Sequence, residues 1–313
     1  MRLLGPGKAA TGFTRSHALM SGAATCMSFI LIHSYALKAS GMSSLQQVLL
    51  RMAIATPLLA LLLGRRNMRF LGRSDICFSL LIGLVFSSFL FSALSAIALG
   101  LPIAVAVALV YTQPIFTAII STLTGKEPMD FKKACIILLG TAGAILSTGL
   151  GPEELLHLRL GAGLVLGFLS GFLYALYLAL KRHMRERGYG PEQITISTFV
   201  TGLAMTGLLS LIVFFAIGGD PRLTGFIMPS PYQMALITSF AIFSTAMPYT
   251  FLNYVRPEDI SPAGEGLLLL LDPALHVLWA YLFFGQAVAF WQYVGVALII
   301  TASAIFHLGR KGP

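Results

Sequence analysis

Residues 266–290 read GLLLLLDPALHVLWAYLFFGQAVAF, an apolar run that carries an aspartate, a proline and a histidine in its middle. About 20 consecutive apolar residues are enough to cross a bilayer as a helix. A charged side chain at the centre of such a helix costs roughly 2.5–3.5 kcal/mol on insertion scales, so Asp272 belongs on a face that lipid does not touch. At about 100° per residue, Glu265, Asp272, His276, Trp279 and Phe283 share one side, and Leu267, Leu270, Ala274 and Val277 lie opposite. An aspartate and a histidine four residues apart can share a hydrogen bond. Pro273 leaves the carbonyl four residues before it without its usual donor, a polar break of the kind membranes tolerate where backbone lines a cavity.

An earlier stretch has the same design. Residues 107–131, VALVYTQPIFTAIISTLTGKEPMDF, align with 266–290 so that Gln113 meets Asp272, Pro114 meets Pro273, Glu127 meets Gln286 and Phe131 meets Phe290. Pro114 and Pro273 are therefore two helix breaks at related places in two halves.

The whole chain shares this character. Its 313 residues are 57% hydrophobic and 11% charged, with a mean hydropathy of +0.84, whereas a soluble globular chain carries about 25% charged residues. Apolar windows between Gly, Pro and charge clusters predict an all-α integral membrane protein of ten helices, at 18–37, 44–64, 75–98, 102–123, 132–150, 161–181, 193–217, 233–254, 263–284 and 288–308. The N-terminal run is nearer to a full span than to the short apolar core of a signal peptide. Alternate connections then collect 17 of the 21 Lys and Arg residues on one side, leaving Lys38, Arg159 and Arg222 opposite and Arg51 inside a span. By the positive-inside rule both termini are cytoplasmic, which predicts a multi-pass protein of the cell's inner membrane.

The polar connection at 151–160, GPEELLHLRL, divides the chain into a cytoplasmic N-terminal segment (1–17), a first repeat (18–150), an outer linker (151–160), a second repeat (161–308) and a cytoplasmic tail (309–313). Five spans per half is an odd number, so the second half lies inverted relative to the first. Inverted repeats that hold a solute at their interface are the architecture of secondary transporters.

Three stretches carry a family likeness. AIALGLPIAVAVALVYTQPIFTAIISTLTGKEP (96–128) and SPAGEGLLLLLDPALHVLWAYLFFGQ (261–286) resemble the fourth- and ninth-span signatures of the EamA-like family of the drug/metabolite transporter superfamily. Arg51 in LLRMAIATPLLALLL (49–63) matches an arginine often found in the second span of such proteins. Gln286 stands where a second glutamate is usual, and Tyr174 where a tryptophan is common. The resemblance covers about 18–308 and implies a central cavity, alternating access and transport of small polar or amphipathic metabolites, often outward.

The residues themselves offer a candidate site, each with a competing structural reading. Asp272 and His276 are either substrate contacts and proton relay or a buried pair that orients a kink. Trp279 shares their face, and Glu265 reads as solvated at the end of its span. Gln113 and Thr117 share a face of the fourth span, with an interhelical amide bond as the alternative for Gln113, and Tyr111 reads as packing. Ser88, Ser92 and Ser95 suit close helix packing, with Ser92 also a cavity candidate. Gly163, Gly167 and Gly171 form a packing seam beside Tyr174, a candidate contact, and Tyr249 lines a broad face of the eighth span. Arg51 lies deep in its span and reads as a polar anchor held by backbone carbonyls. His33 reads as interfacial.

Several classes of function are disfavoured. The net charge of +9 is spread over short loops and forms no basic tract, so no nucleic-acid partner is expected. The three cysteines, Cys26, Cys77 and Cys135, all fall in apolar segments, which predicts buried thiols and neither a disulfide nor a metal site. No P-loop, serine elbow or metal-ligand motif occurs, so an intramembrane enzyme is a remote alternative and no cofactor is expected. A phosphate-bearing solute calls for several Lys or Arg in the cavity, and only Arg51 is available. These residues suit an amino acid or a similar amphipathic metabolite moved by a secondary transporter, with export driven by a gradient of substrate or of protons as the expected mode; an importer of a metabolite or vitamin on the same fold is the alternative. The expected partners are a small-molecule substrate and the lipid bilayer; the oligomeric state stays open, a monomer being one option.

Overall fold

The computed structural model describes residues 14–63, 73–99, 101–149, 161–217, 224–284 and 287–308. Among them every regular element is helical: α1 (Arg15–Met27), α2 (Ile30–Ala39), α3 (Ser44–Leu63), α4 (Arg73–Ala98), α5 (Ile103–Val110), α6 (Gln113–Leu123), α7 (Phe131–Ser147), α8 (Ala162–Glu186), α9 (Pro191–Ile217), α10 (Pro231–Ala241), a π-helical turn (Ile242–Ala246), α11 (Met247–Tyr254), α12 (Pro262–Leu269), α13 (Leu271–Phe284) and α14 (Phe290–Leu308). Residues 1–13, the 151–160 connection, the 309–313 tail and Gln286 lie outside the described residues.

Among the described residues, seven runs are long and apolar enough to cross a membrane: Arg15–Ala39, Ser44–Leu63, Ile76–Ile97, Ala104–Leu123, Ala162–Glu186, Pro191–Ile212 and Pro231–Tyr254. The other three expected spans coincide with α7, the α12–α13 pair and α14, which are shorter or interrupted. The outward surface is apolar where lipid would lie, with Leu61, Leu123, Leu208, Leu211 and Phe215 among the exposed side chains. Cys77 and Cys135 are also exposed on this surface, and Cys26 is only half-buried. That corrects the expectation of three buried thiols: an apolar segment in a membrane protein has a lipid face, so hydrophobic surroundings in sequence do not imply a core position.

Four expected spans are interrupted. Pro114 and Pro273 each remove a main-chain donor, and the helix restarts at each, as α6 and α13. Beside the break before α6, Thr112 Oγ1 donates to the Leu109 carbonyl at 2.6 Å. Pro248 similarly follows the π-helical turn, whose wider winding moves the carbonyl that the ring would strike. The first span breaks at Ser28 and Phe29 without a proline, where Ser28 Oγ donates to the Thr25 carbonyl at 2.6 Å.

Small residues set the packing. A Cβ at Gly171 would stand 2.6 Å from the Leu109 carbonyl oxygen, and one at Gly167 would meet Leu109 Cδ1 at 2.4 Å. The Gly163–Gly167–Gly171 seam of α8 thus lies against α5 and its break. Gly143 of α7 and Gly295 of α14 face each other so closely that a Cβ at Gly295 would meet Ser147 N at 2.4 Å and the Gly143 carbonyl oxygen at 2.6 Å.

Polar contacts sort the helix ends into two sets. In the first, at the far end of the molecule, Lys38 Nζ donates to the Ile97 carbonyl, Gln46 Nε2 to the Ile227 carbonyl and Gln233 Nε2 to the Ser40 carbonyl. In the second, at the basic end, Ser16 meets Asp259, Lys126 pairs with Glu186, and Arg182 reaches Pro257 and Ile260.

The α7–α14 contact makes a direct prediction. Gly295→Ala forces a methyl into backbone that cannot yield, and overpacking of this kind costs about 1–3 kcal/mol, so the detergent-solubilised variant should unfold at a lower temperature. A Cβ added at Gly207 would have nothing within 4 Å, and Gly207→Ala should leave the midpoint unchanged or raise it. Equal midpoints for the two variants would contradict this packing.

Candidate functional site

The broken helices enclose a cavity. It is walled by Met27 and Ile30 of the first span, Arg51 of α3, Phe89, Leu90, Leu94 and Ile97 of α4, Val107, Val110 and Tyr111 around the first break, Tyr249 of α11, and Asp272 and His276 of α13. About 600 Å³ of space lies between these atoms, part of it open to solvent. Leu94 and Ile97 sit in the last turns of α4, so the cavity runs from mid-helix toward the far end. A smaller adjoining cavity adds Gln113, Tyr174, Leu269 and Leu270.

Each half contributes one polar pair at the start of its restarted helix. In α6, Gln113 Nε2 donates to Thr117 Oγ1 at 2.6 Å. In α13, Asp272 Oδ1 and His276 Nδ1 stand 3.3 Å apart. The aligned positions therefore carry the same four-residue spacing with an amide and hydroxyl in one half and an acid and imidazole in the other. Tyr111 extends the second pair across the halves, its hydroxyl lying 3.3 Å from His276 Nδ1. Asp272 Oδ1 and His276 Nε2 make no hydrogen bond, which leaves capacity for a ligand beside them.

The aromatic residues are held rigidly. Tyr174 stacks on Phe89 with ring centroids 4.6 Å apart and directs its hydroxyl to Met27 Sδ at 3.4 Å. Tyr249 meets Phe86 edge-on at 4.6 Å. Arg51 is 1% exposed and its guanidinium lies 4.6 Å from the centroid of the Phe240 ring. Its Nε and Nη2 have no hydrogen-bond partner, so the expected anchoring by carbonyls does not hold for these two nitrogens.

The structure separates other expected residues from the cavity. Trp279 turns to the first-span break, where Nε1 donates to Ser28 Oγ at 2.6 Å and the ring stacks on Phe29 at 5.1 Å. Ser92 is buried but lines neither cavity, and Thr117 acts through Gln113. His33 is structural rather than interfacial, with Nε2 2.9 Å from Ser239 Oγ and Nδ1 2.8 Å from the Phe29 carbonyl. Tyr111, read as packing, lines both cavities instead. A helical projection places it elsewhere only because it assumes a straight axis through Thr112, where the chain in fact breaks; its place one turn before a proline was the available signal.

Below the cavity the basic end is closed by charge. Lys181 Nζ donates to Glu265 Oε2 and to the Leu252 carbonyl, both at 3.1 Å, with the two side chains 1% and 3% exposed. Arg182 adds a contact to Glu265 Oε1 at 3.4 Å and donates to the Ile260 and Pro257 carbonyls at 2.9 and 2.6 Å. From the first half, Glu127 accepts from Ala263 N at 3.1 Å and lies 3.3 Å from Lys133 Nζ. Glu265 is thus a buried ion-pair partner, correcting its reading as a solvated end. By sequence alone Lys181 counts as a loop charge, because helix α8 continues about a turn further than its apolar run.

The chain is similar to known proteins. A model of the EamA-like transporter family matches residues 14–149 and again 161–308. The threonine/homoserine exporter RhtA of Salmonella typhimurium is 28% identical over 207 residues, 64% of this chain and 61% of the exporter, so the matched stretch spans less than two thirds of that relative. An uncharacterized transporter of Archaeoglobus fulgidus is 26% identical over 76% of this chain and 78% of its own length. One crystal structure superposes with a TM-score of 0.74 over 96% of this chain and 100% of the other, at 17% identity, a likeness of fold.

Removing one partner of a buried ion pair costs about 3–5 kcal/mol, and Arg182 lessens the loss at this site. Lys181→Met should therefore lower the unfolding midpoint in detergent by several degrees, and Lys181→Met with Glu265→Gln should regain most of it. A single variant as stable as the parent would show that the pair does not hold the basic end.

Proposed function

Because the chain belongs to the EamA-like transporter family, we propose that it is a secondary transporter that exports amino acids or similar amphipathic metabolites by alternating access, driven by inward proton flow. It is an integral membrane protein; in this reading its ten spans form two inverted five-helix repeats, 18–150 and 161–308, in the inner membrane with both termini cytoplasmic. The basic end is then the cytoplasmic end, and the cavity faces outward in the conformation described.

One observation carries the proposal. Asp272 and His276 are the ionisable pair at a broken helix inside a solvent-reaching cavity, with an oxygen and a nitrogen left without hydrogen bonds. Intramembrane ionisable groups are costly and mark solute or proton paths. Gln113, Tyr174 and Tyr249 complete the solute-binding walls, with Pro114 and Pro273 as the breaks that expose them, and Asp272 with His276 forms the proton relay. The relatives named as threonine/homoserine exporters support both outward direction and substrate class.

The test is efflux from proteoliposomes loaded with labelled amino acids. The parent protein should release label faster when the opposite face is acidified. Asp272→Asn should lose that acceleration while keeping release down a substrate gradient. Unchanged acceleration in the variant would remove the relay role, and absence of saturable flux for every amino acid and related metabolite would remove the transport reading.

A further inference from the structure

Arg51 holds an unused fork. A guanidinium presents two parallel N–H bonds along the edge shared by Nε and Nη2, the geometry that grips both oxygens of a carboxylate. Both nitrogens on that edge of Arg51 are buried without a hydrogen-bond partner. Phe240 covers a face of the same group at 4.6 Å, a cation–π contact that fixes the plane and leaves the edge unoccupied. Burying a polar donor without a partner is unfavourable, and a buried charge more so. Hydration does not relieve it, since the side chain is 1% exposed. Nor does an internal acid: among the described residues no carboxylate lies within ion-pair distance of Arg51, Asp272 included.

The surroundings define what such a fork would hold. Arg51 is a wall of the same cavity as Asp272, and most of the remaining wall is apolar: Met27, Ile30, Phe89, Leu90, Leu94 and Ile97. We propose that Arg51 is the substrate-carboxylate receptor of this cavity, and that the preferred substrate is a monocarboxylate amino acid with an apolar side chain, such as leucine, rather than a hydroxylated one. The proposal rests on reading the cavity as the transport site. A second carboxylate on the substrate would be buried against this apolar wall without a partner, which disfavours dicarboxylates. The apolar wall rewards side-chain methyl and methylene groups with dispersion and desolvation that a threonine hydroxyl forgoes.

The experiment measures binding by thermal stabilisation of the purified full chain, since a ligand of the folded state raises its apparent stability. Leucine is compared with leucinol, which replaces the carboxylate by a hydroxymethyl group, and with threonine and glutamate. The parent should bind leucine at least about tenfold more tightly than leucinol, threonine or glutamate, a discrimination of the size expected when a charged fork loses its partner. Arg51→Gln should bind leucine and leucinol alike, and Arg51→Lys should fall between, because an ammonium supplies charge without the fork. Equal binding of leucine and leucinol by the parent overturns the proposal without recourse to any variant. So does a preference for leucine that survives in a folded Arg51→Gln, or binding of threonine in preference to leucine. Saturable flux of other solutes in those cases would leave the transporter reading standing, whereas loss of all flux would remove that reading itself.

Discussion

Two prolines each delete a main-chain donor inside an apolar helix, and the centre of the molecule is organised around those deletions. In hydrocarbon an unsatisfied peptide group costs several kcal/mol, so a broken helix survives only where protein or water takes over the lost bond. At the first break the carbonyl that Pro114 leaves without a donor is that of Val110; beside it Thr112 donates its hydroxyl to the Leu109 carbonyl, and the glycine seam of α8 closes over both. At both breaks the restarted helix opens with a polar residue paired to another one turn on, Gln113 with Thr117 and Asp272 with His276. The breaks therefore turn what would be lipid-spanning segments into walls of a polar-centred cavity. Gly266 packs directly on Pro114, where a Cβ would come within 3.2 Å of its ring, so the two interrupted segments meet.

The ends of the molecule differ for related reasons. At the basic end, Lys181, Arg182 and Glu265 are withdrawn from solvent and tied to carbonyls of the α11–α12 connection, and Glu127 binds the first turn of α12. These contacts join elements of both halves. At the far end the cavity wall is made largely of aliphatic side chains of α4 and α5, and Lys38 and Ser44 donate to the Ile97 and Leu94 carbonyls of α4. The basic end is thus locked by buried ion pairs, whereas the far end, among the described residues, is held by hydrogen bonds to main-chain carbonyls.

Much of the fold was legible because a bilayer leaves few options. Span length, the asymmetry of Lys and Arg, and Gly and Pro punctuation placed the helices close to where they lie, and Pro114 and Pro273 marked the interrupted segments. The break at Ser28 and Phe29 carried no proline or glycine signal, since a serine hydroxyl and a stacked tryptophan bring it about through tertiary contacts. The site was half legible for the same reason. Asp272, His276, Gln113, Tyr174 and Tyr249 line cavities; Tyr111 was missed because a straight helical projection fails across a break, and Trp279, within the unbroken α13, is drawn to the first-span break by Ser28 and Phe29. Lys181 and Glu265 come from helices far apart in sequence, and no single-helix pattern pairs them. The free edge of Arg51 is a fact of three-dimensional packing: sequence shows the arginine and its depth but not which nitrogens remain unbonded.

The proposed transport requires that water reach the cavity between the interrupted helices from the far end. Thiol accessibility tests it most directly, in a chain whose Cys26, Cys77 and Cys135 have been replaced. Ala93 lines the cavity and Leu208 faces outward from the helix assembly. A membrane-impermeant maleimide applied to vesicles from the far-end side should label Ala93→Cys and leave Leu208→Cys unlabelled. A folded Ala93→Cys protein that stays unlabelled from that side, or labels only from the basic end, would contradict the account.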